Sequence, residues 1–311
     1  MKQLRVPVDS GGIRSPQIAP WCRVFPEVAL MTETMPEATV LEHIRRWAQS
    51  DENIRTVILT SSRADPDRVP DALSDYDVEL FVRDTGPFVR DDDWLDEFGP
   101  ILVRWPRRPG PTGHDDWITQ LVLFESGIRI DFQITAQPPT ESDNLDAGYR
   151  VIIDKDSVAA TLPAPTYSKH AVKLPSADEF ADRVNAFFWD IVYVAKGLWR
   201  GELNYAKSMV GIVIRFEQVV PISAWYIRVV AGHDVNIGIY GRWMHRFLDA
   251  PMWNAYLATF AGADPADNRR ALFATLEYVR TIARRVASEL GFEYPEELDA
   301  RVTRYIETIM R

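Results

Sequence analysis

Cysteine is almost absent: the 311 residues contain one, Cys22. That excludes an intramolecular disulfide framework and any cysteine-rich zinc site. The five histidines, His43, His114, His170, His233 and His245, are scattered without metal-ligand spacing. No run of 18 apolar residues is free of charge, so no membrane span is expected. The N-terminus lacks the apolar core of a signal peptide, and a cytoplasmic location is expected. An excess of basic residues is missing too. The formal net charge is −10, which speaks against nucleic acid as a partner and agrees with steering of a cationic ligand. Internal repeats and low-complexity tracts are absent.

What is present is an ordinary globular composition, 46% hydrophobic with ten Trp, long enough for two domains. Residues 1–36 read as a loose extension, with Ser10-Gly11-Gly12, several prolines and no sustained period. Met31 and Met35 close that stretch and offer alternative starts; N-terminal sequencing that finds residues 1–30 in the native protein would end that idea. Val40, Leu41, Ile44 and Trp47 have helical spacing. Strands are expected at 54–60, from Asp75 to Val82, and at 101–105, 117–124, 128–134 and 151–153. The proline-containing, aperiodic segment 161–175 is the expected linker. Beyond it the chain turns helical. Ser176 with Glu179 forms a capping-box signature for a helix reaching about Trp199. On that helix Phe188, Val192, Ala195 and Trp199 form the expected core face, with Trp189, Tyr193, Lys196 and Arg200 on an adjacent stripe. Further helices are expected near 203–230, 239–248, 251–261, 266–290 and 295–310.

The most informative segment is Ser74-Asp75-Tyr76-Asp77-Val78-Glu79-Leu80-Phe81-Val82. Asp is depleted in strands, yet two acids two residues apart open this apolar run. Alternation sends Asp75 and Asp77 to one face and Tyr76 and Val78 to the other. Two such carboxylates repel, and burial pushes their pKa values up; a divalent cation removes that penalty. A third acid comes from Ile128-Arg129-Ile130-Asp131-Phe132-Gln133-Ile134, the return strand of a hairpin that turns at Ser126-Gly127. Were this strand beside the one at Asp75, Asp131 would lie roughly 5 Å from the pair. Three oxygen donors suit Mg²⁺ together with substrate phosphate. Upstream, the β-branched strand 54–60 runs directly into Ser61-Ser62-Arg63. Hydroxyl residues at such a strand end present backbone N–H groups and an Oγ to phosphate oxygens. Each feature alone has a plain structural reading as a helix cap or a paired strand charge; their order is what points to phosphoryl transfer.

That order resembles the polymerase-β-type nucleotidyltransferase superfamily. Within it the chain looks most like the aminoglycoside 6-adenylyltransferases, which modify streptomycin. The resemblance runs from about Glu37 to the end. It is carried by Val57 to Arg63, Asp75-Tyr76-Asp77, Phe124 to Asp131, and the block Tyr193-Val194-Ala195-Lys196-Gly197-Leu198-Trp199-Arg200-Gly201-Glu202-Leu203-Asn204-Tyr205-Ala206-Lys207. It implies an α+β fold: a nucleotidyltransferase domain over 37–160, built on a mixed β-sheet with flanking helices, then an all-α helical bundle over 176–311. It further implies Asp75, Asp77 and Asp131 at two Mg²⁺ ions. ATP as co-substrate would be held by Ser61, Ser62, Arg63 and Lys196. Trp189, Glu202, Tyr205 and Lys207 are implied at a polycationic aminoglycoside, the enzyme acting as a monomer. Two departures stand out: Ser61 replaces a family Gly, and Gly201 stands where an Asp is expected before Glu202. They leave open a different acceptor hydroxyl, or a nucleotide-binding module without turnover.

Overall fold

The structure, a computed structural model, describes residues 35–66, 69–108, 110, 117–140 and 143–311. The expected extension up to residue 34 lies outside them. The chain divides into two compact units between Pro165 and Thr166.

The first unit is a mixed sheet with helices. Its strands are β1 (Ile54–Thr60), β2 (Tyr76–Val82), β3 (Ile101–Trp105), β4 (Ile118–Phe124), β5 (Arg129–Thr135) and β6 (Tyr149–Asp154), in the order β3-β4-β5-β2-β1-β6. Every neighbouring pair is antiparallel except β2 with β5. Helix α1 (Glu37–Ser50) buries Val40, Ile44, Trp47 and Ala48. It packs on the face carrying Tyr76, Val78 and Leu80 of β2 and Ile130, Phe132 and Ile134 of β5. The short helices α2 (Gly86–Arg90) and α3 (Asp143–Asp146) complete the unit. Since side chains alternate along a strand, Asp77 and Asp131 are left on the opposite face.

The second unit is helical: α4 (Ala177–Trp199), α5 (Leu203–Ser208), α6 (Val220–Ala231), α7 (Ala250–Leu257), α8 (Pro265–Leu290) and α9 (Glu296–Ile309). The capping box forms as the sequence predicts. Glu179 N donates to Ser176 Oγ at 3.1 Å, and Ser176 N donates to Glu179 Oε2 at 2.7 Å. Val184, Phe187, Phe188, Ile191 and Ala195 form the buried stripe of α4, joined to Ile222, Val279, Ile282 and Val286. Trp199, expected in the core, is 71% exposed because it is the last residue of α4. Val192, expected there too, is only partly buried.

Two helix expectations are corrected. Residues 239–248 form no continuous helix but two short 3-10 turns, Ile239–Gly241 and Met244–Arg246, because Gly238, Tyr240 and Gly241 all take left-handed φ. Between α5 and α6 the chain stays helical but widens into a π-helix over Met209–Val219. The resulting run Leu203–Ala231 is, among the described residues, the one helical stretch long and apolar enough to cross a membrane. More than half of its apolar window is buried, and Arg215 and Glu217 interrupt its middle. This is the pattern of a core helix.

Gly197 shows why a glycine stands in the Ala195-Lys196-Gly197 segment. A Cβ there would lie 3.2 Å from Tyr205 Cδ1 and 3.3 Å from Ala206 Cβ, so the close approach of α4 and α5 depends on its absence.

Candidate active site

Parallel pairing of β2 with β5 sets Asp77 directly beside Asp131, at the strand spacing of about 4.8 Å. Asp75 immediately precedes β2. On the other side of β2, Thr60 pairs with Asp77. The Ser61–Arg63 3-10 turn, which begins where β1 ends, therefore lies next to the acids. The Ser61 hydroxyl donates to the Asp77 carboxylate. Three segments distant in sequence thus meet at one end of the central strands.

The electrostatics of the cluster follow from this placement. Burial, reinforced by repulsion from Asp131 and Asp75, pushes Asp77 up to about 6, against the opposing effects of the Ser61 hydroxyl and Arg129. Asp75 is also raised, chiefly by burial, with Arg129 pulling the other way. Arg129 is the internal counter-charge. Its Nε and Nη2 donate to Asp131 at 2.9 and 2.8 Å, and its Nη1 lies 3.5 Å from Asp75 Oδ2. The strand alternation already placed Arg129 on the Asp131 face, so this residue was visible in the sequence as a partner, though not as a bridge to Asp75.

The donor set has the chemistry that Mg²⁺ requires: three carboxylates with excess negative charge. As the side chains stand, however, no group of three His, Cys, Asp or Glu among the described residues is arranged to hold one ion. Both Asp131 oxygens are instead taken by the Arg129 guanidinium. A divalent cation held by these acids would have to displace Arg129 from at least one Asp131 oxygen.

Arg63 behaves differently from the expectation of a phosphate ligand. Its side chain is nearly buried and donates to the carbonyls of Asp75 (3.1 Å) and Ser74 (2.7 Å) and to Glu37 Oε2 (2.8 Å). The guanidinium also lies 3.9 Å from the centroid of the Tyr76 ring. It pins the segment entering β2 and so fixes the backbone that carries Asp75. Ser62 sits half-buried on the same turn. Ser61 adopts φ 60, the left-handed region that costs a non-glycine residue about 1–2 kcal/mol. The family glycine at this position therefore has a conformational reason, and Ser61 gains a hydrogen bond to Asp77 in exchange.

The remaining predicted residues belong to the helical unit. Lys196 lies 5.9 and 6.0 Å from the ring centroids of Tyr193 and Tyr305. Trp189 is 67% exposed, and Tyr205 and Glu202 are exposed as well. Glu202 lies 4.0 Å from Arg200. Lys207 instead turns inward, donating to Ala261 O at 2.8 Å. Gly201 has φ 72, a conformation that suits glycine better than the Asp expected there.

Comparison with known proteins gives a consistent result. The family described as streptomycin adenylyltransferase matches residues 35–309. An aminoglycoside 6-adenylyltransferase of Bacillus subtilis (strain 168) is 30% identical over 280 residues, covering 88% of this chain and 97% of the relative. One from Campylobacter jejuni is 27% identical over 277 residues, covering 87% and 94%. A solved aminoglycoside 6-adenyltransferase from Bacillus subtilis aligns over 88% of this chain and 98% of its own, with 23% identity and a TM-score of 0.43. The match over nearly the whole described chain makes this protein a member of the streptomycin adenylyltransferase family.

Proposed function

We propose that this chain transfers AMP from ATP to a hydroxyl of an aminoglycoside, the 6-hydroxyl of streptomycin, and releases pyrophosphate. The observation that carries the reading is the in-register pair Asp77 and Asp131 with the Ser61 turn beside it. The acceptor class comes from the relatives, which are named for aminoglycoside 6-adenylylation.

In the reaction the acceptor oxygen bonds to the α-phosphorus while the bridge from the α- to the β-phosphate breaks. The bonding electron pair leaves with pyrophosphate, and the acceptor proton passes to Asp131 or Glu202. Asp75, Asp77 and Asp131 would hold two Mg²⁺ ions, which when bound neutralise phosphate charge and make the acceptor hydroxyl easier to deprotonate. Ser61 orients the Asp77 carboxylate. The Ser62 N–H and Oγ hold phosphate oxygens, and Arg63 keeps the Asp75 backbone in place. Arg129 holds both Asp131 oxygens until the nucleotide arrives. Lys196 offsets the charge that builds on pyrophosphate, so that positioning and electrostatics supply most of the catalysis. Trp189, Tyr205 and Glu202 offer aromatic faces and a carboxylate to the cationic groups of the aminoglycoside.

The test is incubation of the purified protein with ATP, Mg²⁺ and a panel of aminoglycosides, following pyrophosphate and product mass. Streptomycin-dependent pyrophosphate release with an AMP-bearing product is expected. No streptomycin-dependent release, or transfer to an unrelated acceptor only, would overturn the assignment.

A further inference from the structure

The helical unit holds a partly open cavity of about 340 Å³ lined by α4, α5, the π-helix, α7 and α8. This is near the lower end of small-molecule sites, roughly 300–1,000 Å³. It has room for one substituted ring. Its lining contains no Asp or Glu, but it does contain Lys207 and Arg215.

Arg215 is 5% exposed. Its Nη1 donates to Thr259 Oγ1 at 2.7 Å and its Nη2 to Thr259 O at 3.4 Å. The guanidinium lies 4.0 Å from the Phe260 centroid and 5.3 Å from that of Tyr256. The ionisable groups that act on it are tyrosines, with no carboxylate among them, and burial holds it below its usual range. Lys207 is lowered by burial as well. The carboxylate it senses, Asp267, is already engaged by Arg270 and by Gly262 N. Buried charges are normally paired, so two cations facing one acid-free cavity call for an anion.

The backbone around the cavity is unusual in two independent ways. Lys207, Gly211 and Arg215 are spaced by four and all reach the cavity. Lys207 comes from α5 and Gly211 and Arg215 from the π-helix, and π-segments are rare and concentrate at functional sites. At the rim, Tyr240 holds φ 55 and packs edge-on against Phe216 at 4.9 Å. Left-handed φ in a bulky residue is a strained conformation, of a kind that clusters at ligand sites.

We propose that this cavity binds a small planar organic anion, its ring against Phe216, Tyr240 and Phe260 and its carboxylate or phosphate oxygens toward Arg215 and Lys207. A guanidinium fork suits such oxygens, and the aromatic walls suit a ring. The assignment is independent of the adenylyl-transfer reading. It also moves Lys207 away from the aminoglycoside, whose ammonium groups this cavity would repel.

Calorimetry on the full chain at low ionic strength tests it with four probes: 4-hydroxybenzoate, phenyl phosphate, benzyl alcohol and benzylamine. Both anions should saturate one site, with the neutral and cationic probes at least tenfold weaker. Arg215→Met should weaken the anions at least tenfold. Should that variant fail to fold, Gly211→Leu serves instead. Gly211 lines the cavity and a Cβ there meets nothing within 4 Å. Equal binding of benzyl alcohol, no saturable binding of either anion, or undiminished anion binding by Gly211→Leu would overturn the proposal.

Discussion

Replacing Asp77 by Asn should stabilise the metal-free protein at neutral pH while removing its response to Mg²⁺ and ATP. Asp77 titrates at about 6 in the folded chain against an ordinary 3.8. At roughly 1.4 kcal/mol per pH unit, the ionised carboxylate costs the fold about 3 kcal/mol as an upper bound. The Asn amide also weakens the Ser61 hydrogen bond, worth about 0.5–1.5 kcal/mol. A net gain of at most about 1.5–2.5 kcal/mol remains, or several degrees in Tm at about 2–4 °C per kcal/mol. The sign with pH follows from the raised value. Below about pH 3.8 the carboxyl is protonated in both folded and unfolded chains, and the substitution gains nothing. The penalty grows as pH rises from 3.8 to 6 and is complete above it. Thermal melts in EDTA from pH 4 to 8 should therefore show a widening difference between Asp77→Asn and wild type. A variant less stable than wild type at pH 7.5, or a difference independent of pH, would refute the electrostatic reasoning.

Other substitutions probe separate parts of the account. Ser61→Gly relieves a left-handed backbone worth about 1–2 kcal/mol but loses a hydrogen bond of similar size, so its stability should stay within about 1 kcal/mol of wild type. The same change should raise the Asp77 titration further, read by carbon-13 NMR of the carboxyl groups, because the Ser61 hydroxyl lowers it. Lys196→Ala should weaken ATP more than streptomycin when each is titrated separately by calorimetry. Ser176→Ala removes the Oγ acceptor of the capping box, while the Ser176 N–H can still donate to Glu179 Oε2; it should cost about 1 kcal/mol in denaturant unfolding, with the active-site acids untouched.

Much of this arrangement was legible in the sequence because it depends on short periods. Alternation placed Asp77 and Asp131 on the polar faces of their strands, and Ser176 with Glu179 marked the start of α4. What alternation cannot give is which strands are neighbours. The parallel pairing of β2 with β5 joins segments about fifty residues apart, and it alone turns two separate acids into a pair. The inward contacts of Arg63 were hidden for a related reason. Its partners Glu37 and the Ser74 carbonyl are distant in the chain, so an inward guanidinium looked like a free one. The π-helix left no composition signal, since Met209–Val219 reads as an ordinary apolar helix around a single Arg215 and Glu217. Tyr240 hid the break in 239–248 because left-handed φ is expected of glycine, not of an aromatic residue.

The claim beneath the rest is that Asp75, Asp77 and Asp131 gather a divalent cation with the nucleotide. Electron paramagnetic resonance of Mn²⁺ titrated into the protein with ATP measures this without relying on turnover. Wild type should bind Mn²⁺ in an ATP-dependent manner, and Asp77→Asn and Asp131→Asn should each weaken it at least tenfold. Unchanged Mn²⁺ binding by Asp131→Asn would contradict the shared site.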